Sequence, residues 1–312
     1  TDEAKDNGKT PEVPPLTGSQ KDALVVFRAL CRLSIRHSKD NLAVPGKALA
    51  MEILEELFSG CGAELRKFVC QSSSVKQILC TAILRNSLSS EALTKTRATS
   101  LFGCIFRTAW HDLKAEVGIL YPHVVLRPME IAIEKSSEGG EDPSTSMSDQ
   151  HRSASLKFFS SIGSDGQCVV DMFANYDCDM QAQNILERSI RSSAKLAMGK
   201  GCSPHEGYLA LNTLVGLLKG LSAWMDEKNQ PLGLDEALEQ EIEEARDEIT
   251  EVPMSEEVKQ LESQRAKKAT FAAGISEFNT KPKKGIASMI HAGFVENDPK
   301  SIATFLKAVS GQ

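Results

Sequence analysis

Asn175-Tyr176-Asp177-Cys178-Asp179 follows a short apolar run, Cys168-Val169-Val170-Asp171-Met172-Phe173, and precedes the stretch Met180 to Ala197. In that stretch Ala182, Ile185, Ile190 and Leu196, with Leu186 and Ala197 beside them, recur at helical spacing. The five residues therefore occupy a corner between two helices. Asn and Asp suit a corner because their short polar side chains bond nearby backbone groups and satisfy the unpaired amides that open the next helix. Negative charge there also meets the positive end of the helix dipole. Tyr176 and Cys178 are the inward-facing members, and a buried tyrosine hydroxyl needs a partner.

A metal site is a poor reading of the same residues. Asp177-x-Asp179 opens like a calcium loop, but Met180 to Glu187 lacks the glycine and the distal glutamate that such a loop needs. Cys178 has no Cys or His at ligand spacing.

Outward from the corner, the helical period repeats. Lys21 to Ile35 places Leu24, Phe27, Leu30 and Cys31 on one face, which Val25 and Val26 thicken. Lys47 to Phe58 repeats the pattern through Leu49, Ile53, Leu54 and Leu57 and stops at Gly60. Val75 to Arg85 turns Val75, Ile78, Leu79 and Ala82 inward, and Glu91 to Trp110 does so with Leu101, Phe102, Ile105 and Phe106. Pro122 breaks the next helix by removing an amide, and 123–133 reads as a buried helix kinked near Pro128. Ser136 to Ser153, rich in Ser, Glu, Gly and Asp, reads as a solvent-exposed insertion. Beyond the corner, Ser203-Pro204-His205-Glu206 forms a capping box for a helix reaching Met225. Tyr208, Leu211, Leu214, Val215, Leu218, Leu221 and Met225 run in register along it, and Gly216 and Gly220 allow close helix contact.

A succession of helices joined by short loops is the pattern of an α-solenoid. No repeat of fixed period is visible, so the expected fold is all-α, an irregular armadillo- or HEAT-like helical stack. Such stacks present a long surface to partners. At 41% hydrophobic, the 312-residue chain can bury a sizeable core. A formal charge of −6 gives no general attraction to nucleic acid, so no nucleic-acid partner is expected. The eight cysteines form no CxxC pair, a pattern that fits free thiols in a reducing cytosol. Thr1 to Gln20 is polar and proline-bearing, unlike a signal peptide, and reads as a disordered lead-in. The absence of an initiator methionine points to a fragment or a processed chain.

After Trp224 the composition changes. Residues 227–263 read as an acidic linker, most strongly so from Asp235 to Glu257, where Leu238, Ile242 and Ile249 are thin apolar punctuation. A basic stretch follows at Gln264-Arg265-Ala266-Lys267-Lys268 and again at Lys281 to Lys284; its lysines are expected on the outer face of packed helices. Ile286, Met289, Ile290 and Phe294 make a buried face, and Asp298-Pro299 caps a last helix with Ile302, Phe305 and Leu306 inward.

Phe173-Ala174-Asn175-Tyr176-Asp177-Cys178-Asp179, with Asn184-Ile185-Leu186-Glu187-Arg188 behind it, resembles a box of the large Arf guanine nucleotide exchange factors of the brefeldin-A-inhibited branch. That box marks their homology-upstream region, which precedes the catalytic Sec-seven domain. Asp22 to Ser34 and Tyr121 to Glu130 also resemble this region. Phe278-Asn279-x-Lys281-Pro282-Lys283-Lys284-Gly285-Ile286, followed by Asp298-Pro299-x-x-Ile302-Ala303-x-Phe305-Leu306, is similar to the first helices of a Sec-seven domain. On this resemblance, 21–226 is the upstream helical domain and 264–312 the start of an all-α exchange domain.

The resemblance implies an N-terminal regulatory fragment of an Arf exchange factor in Golgi and endosomal vesicle trafficking. Its expected partners are small GTPases of the Arf, Arl or Rab type and an upstream dimerisation region. The expected location is the cytosol, with peripheral recruitment to Golgi and trans-Golgi membranes. In the family, a glutamate finger late in the Sec-seven domain drives exchange, and no glutamate here matches it. No catalytic, cofactor-binding or metal residue is assigned, and no phosphate loop, GxSxG elbow or HExxH pair occurs. The competing reading is a non-catalytic α-solenoid scaffold that binds a protein partner.

Overall fold

The computed structural model describes residues 17–36, 42–60, 63–137, 145–199, 202–228 and 255–309, and among these every regular element is helical. None of the described helices is long and apolar enough to cross a membrane. The chain divides into two compact units between Val124 and Val125.

The first unit contains α1 (Gly18–Ile35), α2 (Ala43–Gly60), α3 (Ala63–Gln71), α4 (Ser73–Ser87), α5 (Ala92–Ala109) and α6 (Lys114–Tyr121). Thr17 and Gln20 form a reciprocal capping box that starts α1, so the first helix begins inside the expected lead-in; residues 1–16 lie outside the described part. Besides its neighbour in sequence, α1 packs on α4 and α2 on α5. The core between them is Phe27, Cys31, Met51, Leu54, Phe58, Val75, Leu79, Ile83, Leu101, Phe102, Ile105 and Phe106. Tyr121 is fully buried, edge-on to Phe102.

Leu24, Phe27 and Cys31 bury the predicted face of α1, but the valines expected to thicken it do not join it, and of the predicted α2 face only Leu54 is fully buried. Val25 and Val26 of α1 are 66% and 54% exposed, and α2 buries Ala48, Ala50, Met51 and Phe58 with Leu54 while Leu49 and Ile53 face solvent. Both helices carry apolar residues at more than one angle, and the period alone does not say which angle meets the partner.

Pro122 is predicted to break the helix; the backbone there is instead a π-helical turn, Pro122–Leu126, within which the second unit opens. It continues with α7 (Arg127–Ser137), α8 (Thr145–Gly163), α9 (Gly166–Met172), a π-helical turn at Phe173–Asp177, α10 (Ile185–Ala197) and α11 (Pro204–Lys228). Then come α12 (Glu256–Thr280), α13 (Pro282–His291) and α14 (Pro299–Val309). Here α7 packs on α10 and α8 on α11. In both units, then, a helix meets the helix three places on, the step of an armadillo-like repeat. The starts of the paired helices (18 and 73, 43 and 92, 127 and 185, 145 and 204) are unequally spaced, which is why no period shows in the sequence.

The expected exposed insertion, 136–153, is narrower than predicted. Residues from Thr145 belong to α8, and His151 and Arg152 are buried; residues 138–144 lie outside the described part. Arg152 Nε lies 3.0 Å from Glu206 Oε1 with both side chains almost fully buried. The two atoms are not aligned as a hydrogen bond, so the contact is Coulombic. Glu206 spends its other oxygen on the predicted capping box, accepting from the Ser203 amide at 3.0 Å and the Ser203 hydroxyl at 3.0 Å. Most of the acidic linker, 229–254, lies outside the described residues, but its expected end is helical: α12 starts at Glu256 behind an N-capping Ser255.

Candidate functional site

The corner is built by a change of helical pitch. At Phe173–Asp177 the backbone widens to a π-turn, closed by Cys178 N–H donating to the Phe173 carbonyl at 3.0 Å. Asn175 Nδ2 donates to the Asp171 carbonyl at 2.9 Å, tying the turn back to α9. Tyr176 and Cys178 are buried, as their place in the pattern predicts. The helix that follows starts later than predicted: Met180–Asn184 is irregular and α10 begins at Ile185. Asp179 stabilises that irregular stretch by accepting from the Gln181 amide at 2.9 Å.

Asp177 crosses the gap. Its side chain is buried, with Oδ2 accepting from Leu186 N–H at 3.1 Å and Oδ1 from Glu187 N–H at 2.8 Å. One carboxylate thus caps α10 from outside the helix, satisfying two amides that have no partner within it. Burial pushes the Asp177 carboxyl above its ordinary value, against the pull of those two amides and of Lys268.

Around the cap, Asn184 Nδ2 donates to Glu187 Oε2 at 2.9 Å. Arg188 forks onto Glu130 of α7, with Nε and Nη2 donating at 3.0 and 2.8 Å. Of Asn184-Ile185-Leu186-Glu187-Arg188, the Arg188 side chain ties α10 to α7, the Glu187 amide receives the Asp177 cap, and the Asn184 and Glu187 side chains close the start of the helix on itself.

The contact that the sequence does not reveal comes from α12. Lys268 Nζ donates to the Tyr176 carbonyl at 2.7 Å, and the Arg265 guanidinium sits 5.5 Å from the centroid of the Phe173 ring. Burial lowers the Lys268 ammonium below its ordinary value, while Asp177 and Asp179 nearby act to raise it. Lys268 is half-buried, which corrects the expectation that the lysines of 264–268 all face outward. The contact joins residues 92 positions apart, a distance no local pattern reports.

The residues expected to open an exchange domain form a tight helical hairpin. Asn279, Lys281, Pro282, Lys283 and Lys284 are exposed, Phe278 is half-buried and Gly285 is buried. A Cβ on Gly285 would lie 2.3 Å from the Phe278 backbone, and one on Gly274 would lie 2.3 Å from Met289 Sδ. The glycines are therefore what let α12 and α13 meet. Of the predicted face, Met289 is buried, while Ile286, Ile290 and Phe294 are half-buried. Asp298 caps α14 by accepting from the Lys300 and Ser301 amides at 2.9 and 3.0 Å.

No group of three or more His, Cys, Asp or Glu among the described residues is arranged to hold a metal ion. The described cysteines are free thiols, and burial pushes Cys31 and Cys168 up to about 12 and Cys70 and Cys80 up to about 11. Thiols held so far above neutral pH are poor nucleophiles. The site therefore joins helices and shows no arrangement for bond-making chemistry.

Residues 19–185 match the family model described as "Mon2/Sec7/BIG1-like, HUS domain". The chain belongs to this family. Residues 267–311 match the Sec7 domain, so the contact between Lys268 and the Tyr176 carbonyl joins the HUS match to the first residues of the Sec7 match. Among curated relatives, the chain is 31% identical to "Brefeldin A-inhibited guanine nucleotide-exchange protein 2" of Arabidopsis thaliana, over 94% of this chain and 18% of the relative. It is 28% identical to "Brefeldin A-inhibited guanine nucleotide-exchange protein 1" of Mus musculus, over 92% of this chain and 17% of the relative. The chain thus spans less than a fifth of the length of these relatives. No solved structure matches.

Proposed function

We propose that this chain is the N-terminal regulatory part of a guanine nucleotide exchange factor for Arf GTPases, acting in Golgi and endosomal vesicle trafficking. In this reading the HUS corner sets the position of the helix that leads into the exchange domain. The observation that carries the proposal is the α12 contact, in which Lys268 and Arg265 rest on Tyr176 and Phe173. A helix anchored there transmits a movement of the corner to the start of the Sec7 match. Self-association through an upstream region and peripheral recruitment to Golgi membranes from the cytosol belong to the same proposal; the family match and the relatives' printed names support its exchange-factor part alone.

Binding of the purified chain to Arf-family GTPases in their GDP and GTP forms tests it. Nucleotide-dependent retention that Lys268→Met alters is the expected result. A chain that retains no GTPase in either form, or retains both forms equally and is indifferent to Lys268→Met, refutes the coupling. Retention of an unrelated protein instead of a GTPase would move the scaffold reading ahead.

A further inference from the structure

Helix α11 buries one side and leaves a second apolar side open. Its buried residues are Glu206, Gly207, Ala210, Thr213 and Leu217. Tyr208, Leu211, Val215, Leu218 and Met225, the greater part of the stripe expected to be core, are 65%, 50%, 39%, 66% and 54% exposed. With exposed Ser222 they recur at alternating steps of three and four, the spacing of a seam between two packed helices. Among the exposed positions from Tyr208 to Met225 only Lys219 is charged, and the helical repeat sets it to one side of the seam.

The seam matches itself when a second copy is laid along it antiparallel. About a two-fold axis between Gly216 and Leu217, Tyr208 of one copy meets Met225 of the other, Leu211 meets Ser222, and Val215 meets Leu218. The axis then repeats the three layers in reverse. A large residue falls opposite a smaller one at Leu211 with Ser222 and at Leu218 with Val215, as interdigitating packing requires. No layer contains a charge. At each end, Asp226 of one copy falls over the first turn of the other α11, where the helix dipole favours negative charge. The seam is about 26 Å long at the helical rise. Its apolar side chains offer roughly 600 Å² a side, or about 1,200 Å² for the pair, the lower edge of specific interfaces.

We infer that the outer face of α11 is a self-association surface on which a second copy of this chain seats antiparallel. An interface of that size exchanges rather than locks, so the dimer forms in the micromolar range. Every residue of the seam belongs to α11, and the inference does not depend on the exchange-factor reading.

Sedimentation equilibrium of the full chain across roughly 1–100 µM tests it. The expected result is reversible exchange between monomer and dimer within that range. Leu218→Glu and Val215→Lys each put a charge into both central layers when like chains pair, and each is expected to raise the dimer Kd at least tenfold. Both positions are exposed in the single chain, so circular dichroism should show the parent's helical content in both variants. An equimolar mixture of the two should regain dimer that neither forms alone. The antiparallel register sets the new lysine of one chain against the new glutamate of the other and leaves the second central layer apolar. A parent that stays monomeric throughout overturns the inference, and protection of Met225 from hydroxyl-radical labelling in that monomer would mean that another part of the chain covers the face. A dimer indifferent to both substitutions uses a different surface and overturns it as well. Loss in each variant without recovery in the mixture overturns the antiparallel pairing.

Discussion

Removing the Asp177 carboxylate isolates the α10 cap. In Asp177→Ala, the amides of Leu186 and Glu187 lose their acceptors, and the first of these bonds is buried. A lost cap costs about 1–2 kcal/mol. Two bonds to a charged acceptor argue for the upper end or beyond, at roughly 1.5–3 kcal/mol each. The opposing effect is visible in the carboxyl itself: its raised pKa means that burial disfavours the charge more than its partners stabilise it. Alanine relieves that burial cost, so the expected net loss is about 2 kcal/mol. Asp177→Asn keeps one oxygen as an acceptor and removes the charge, and should cost about half as much, near 1 kcal/mol.

Urea unfolding reads the difference, provided that the right unit is reported. Trp110 and Trp224 are the only tryptophans, one in each unit. A Trp110→Phe background therefore leaves Trp224 fluorescence to follow the unit that contains the corner, and a shift in midpoint at constant slope measures the loss. Asp177→Ala within about 0.5 kcal/mol of the parent, or Asp177→Asn worse than Asp177→Ala, would refute the capping argument.

Three further outcomes follow from the same geometry. Gly285→Ala places a Cβ against the Phe278 backbone and should cost about 3 kcal/mol or prevent the α12–α13 hairpin from forming, whereas Gly216→Ala, with open space around it, should stabilise α11 slightly; thermal melts of both variants compare them. Arg152→Ala strands the Glu206 carboxylate and should cost about 3–5 kcal/mol, while Arg152→Met with Glu206→Gln together should cost much less; equal losses would mean that the pair acts only as packing. For Asp177, a folded pKa raised above 3.8 means that its contribution to stability is fully present below that value and is lost as pH rises through the folded pKa. A side-chain carboxyl titration by NMR should accordingly place Asp177 above 3.8, and a midpoint at or below 3.8 contradicts the burial argument.

The sequence carries the helices because each keeps a 3.6-residue apolar period, and it carries the corner because Asn and Asp have few other roles between two such periods. It carries the faces less well. On α11 most of the predicted apolar stripe is exposed, as are Leu49 and Ile53 on α2, since the burying partner arrives from a distant helix whose position no local period encodes. At the site, Tyr176, Asp177 and Cys178 fall where the pattern places them, but Arg265 and Lys268 do not. A basic helix in solvent and one resting on a carbonyl and a ring have the same local sequence. Arg152 is hidden for a related reason: a serine-rich context reads as exposed, and only the structure brings Glu206 to it.

Asp177 serves two contacts at once, and that limits what its variants can reveal about regulation. Its carboxylate caps α10 and also favours the charged form of the half-buried Lys268, against the burial that lowers it. Any change at Asp177 therefore alters the corner and the seating of α12 together. Lys268 is the separable member. It bonds a backbone carbonyl that persists in every variant, and its removal leaves both α10 amides capped. If the corner positions the helix leading into the Sec7 match, Lys268→Met should release the first half of α12 without lowering the stability of the cap. Faster proteolysis between Glu256 and Thr270, with the Trp224 unfolding midpoint unchanged, is the combination that this division of labour demands. A lowered midpoint instead would mean that α12 is part of what holds the corner, and that fold and coupling cannot be separated at this site.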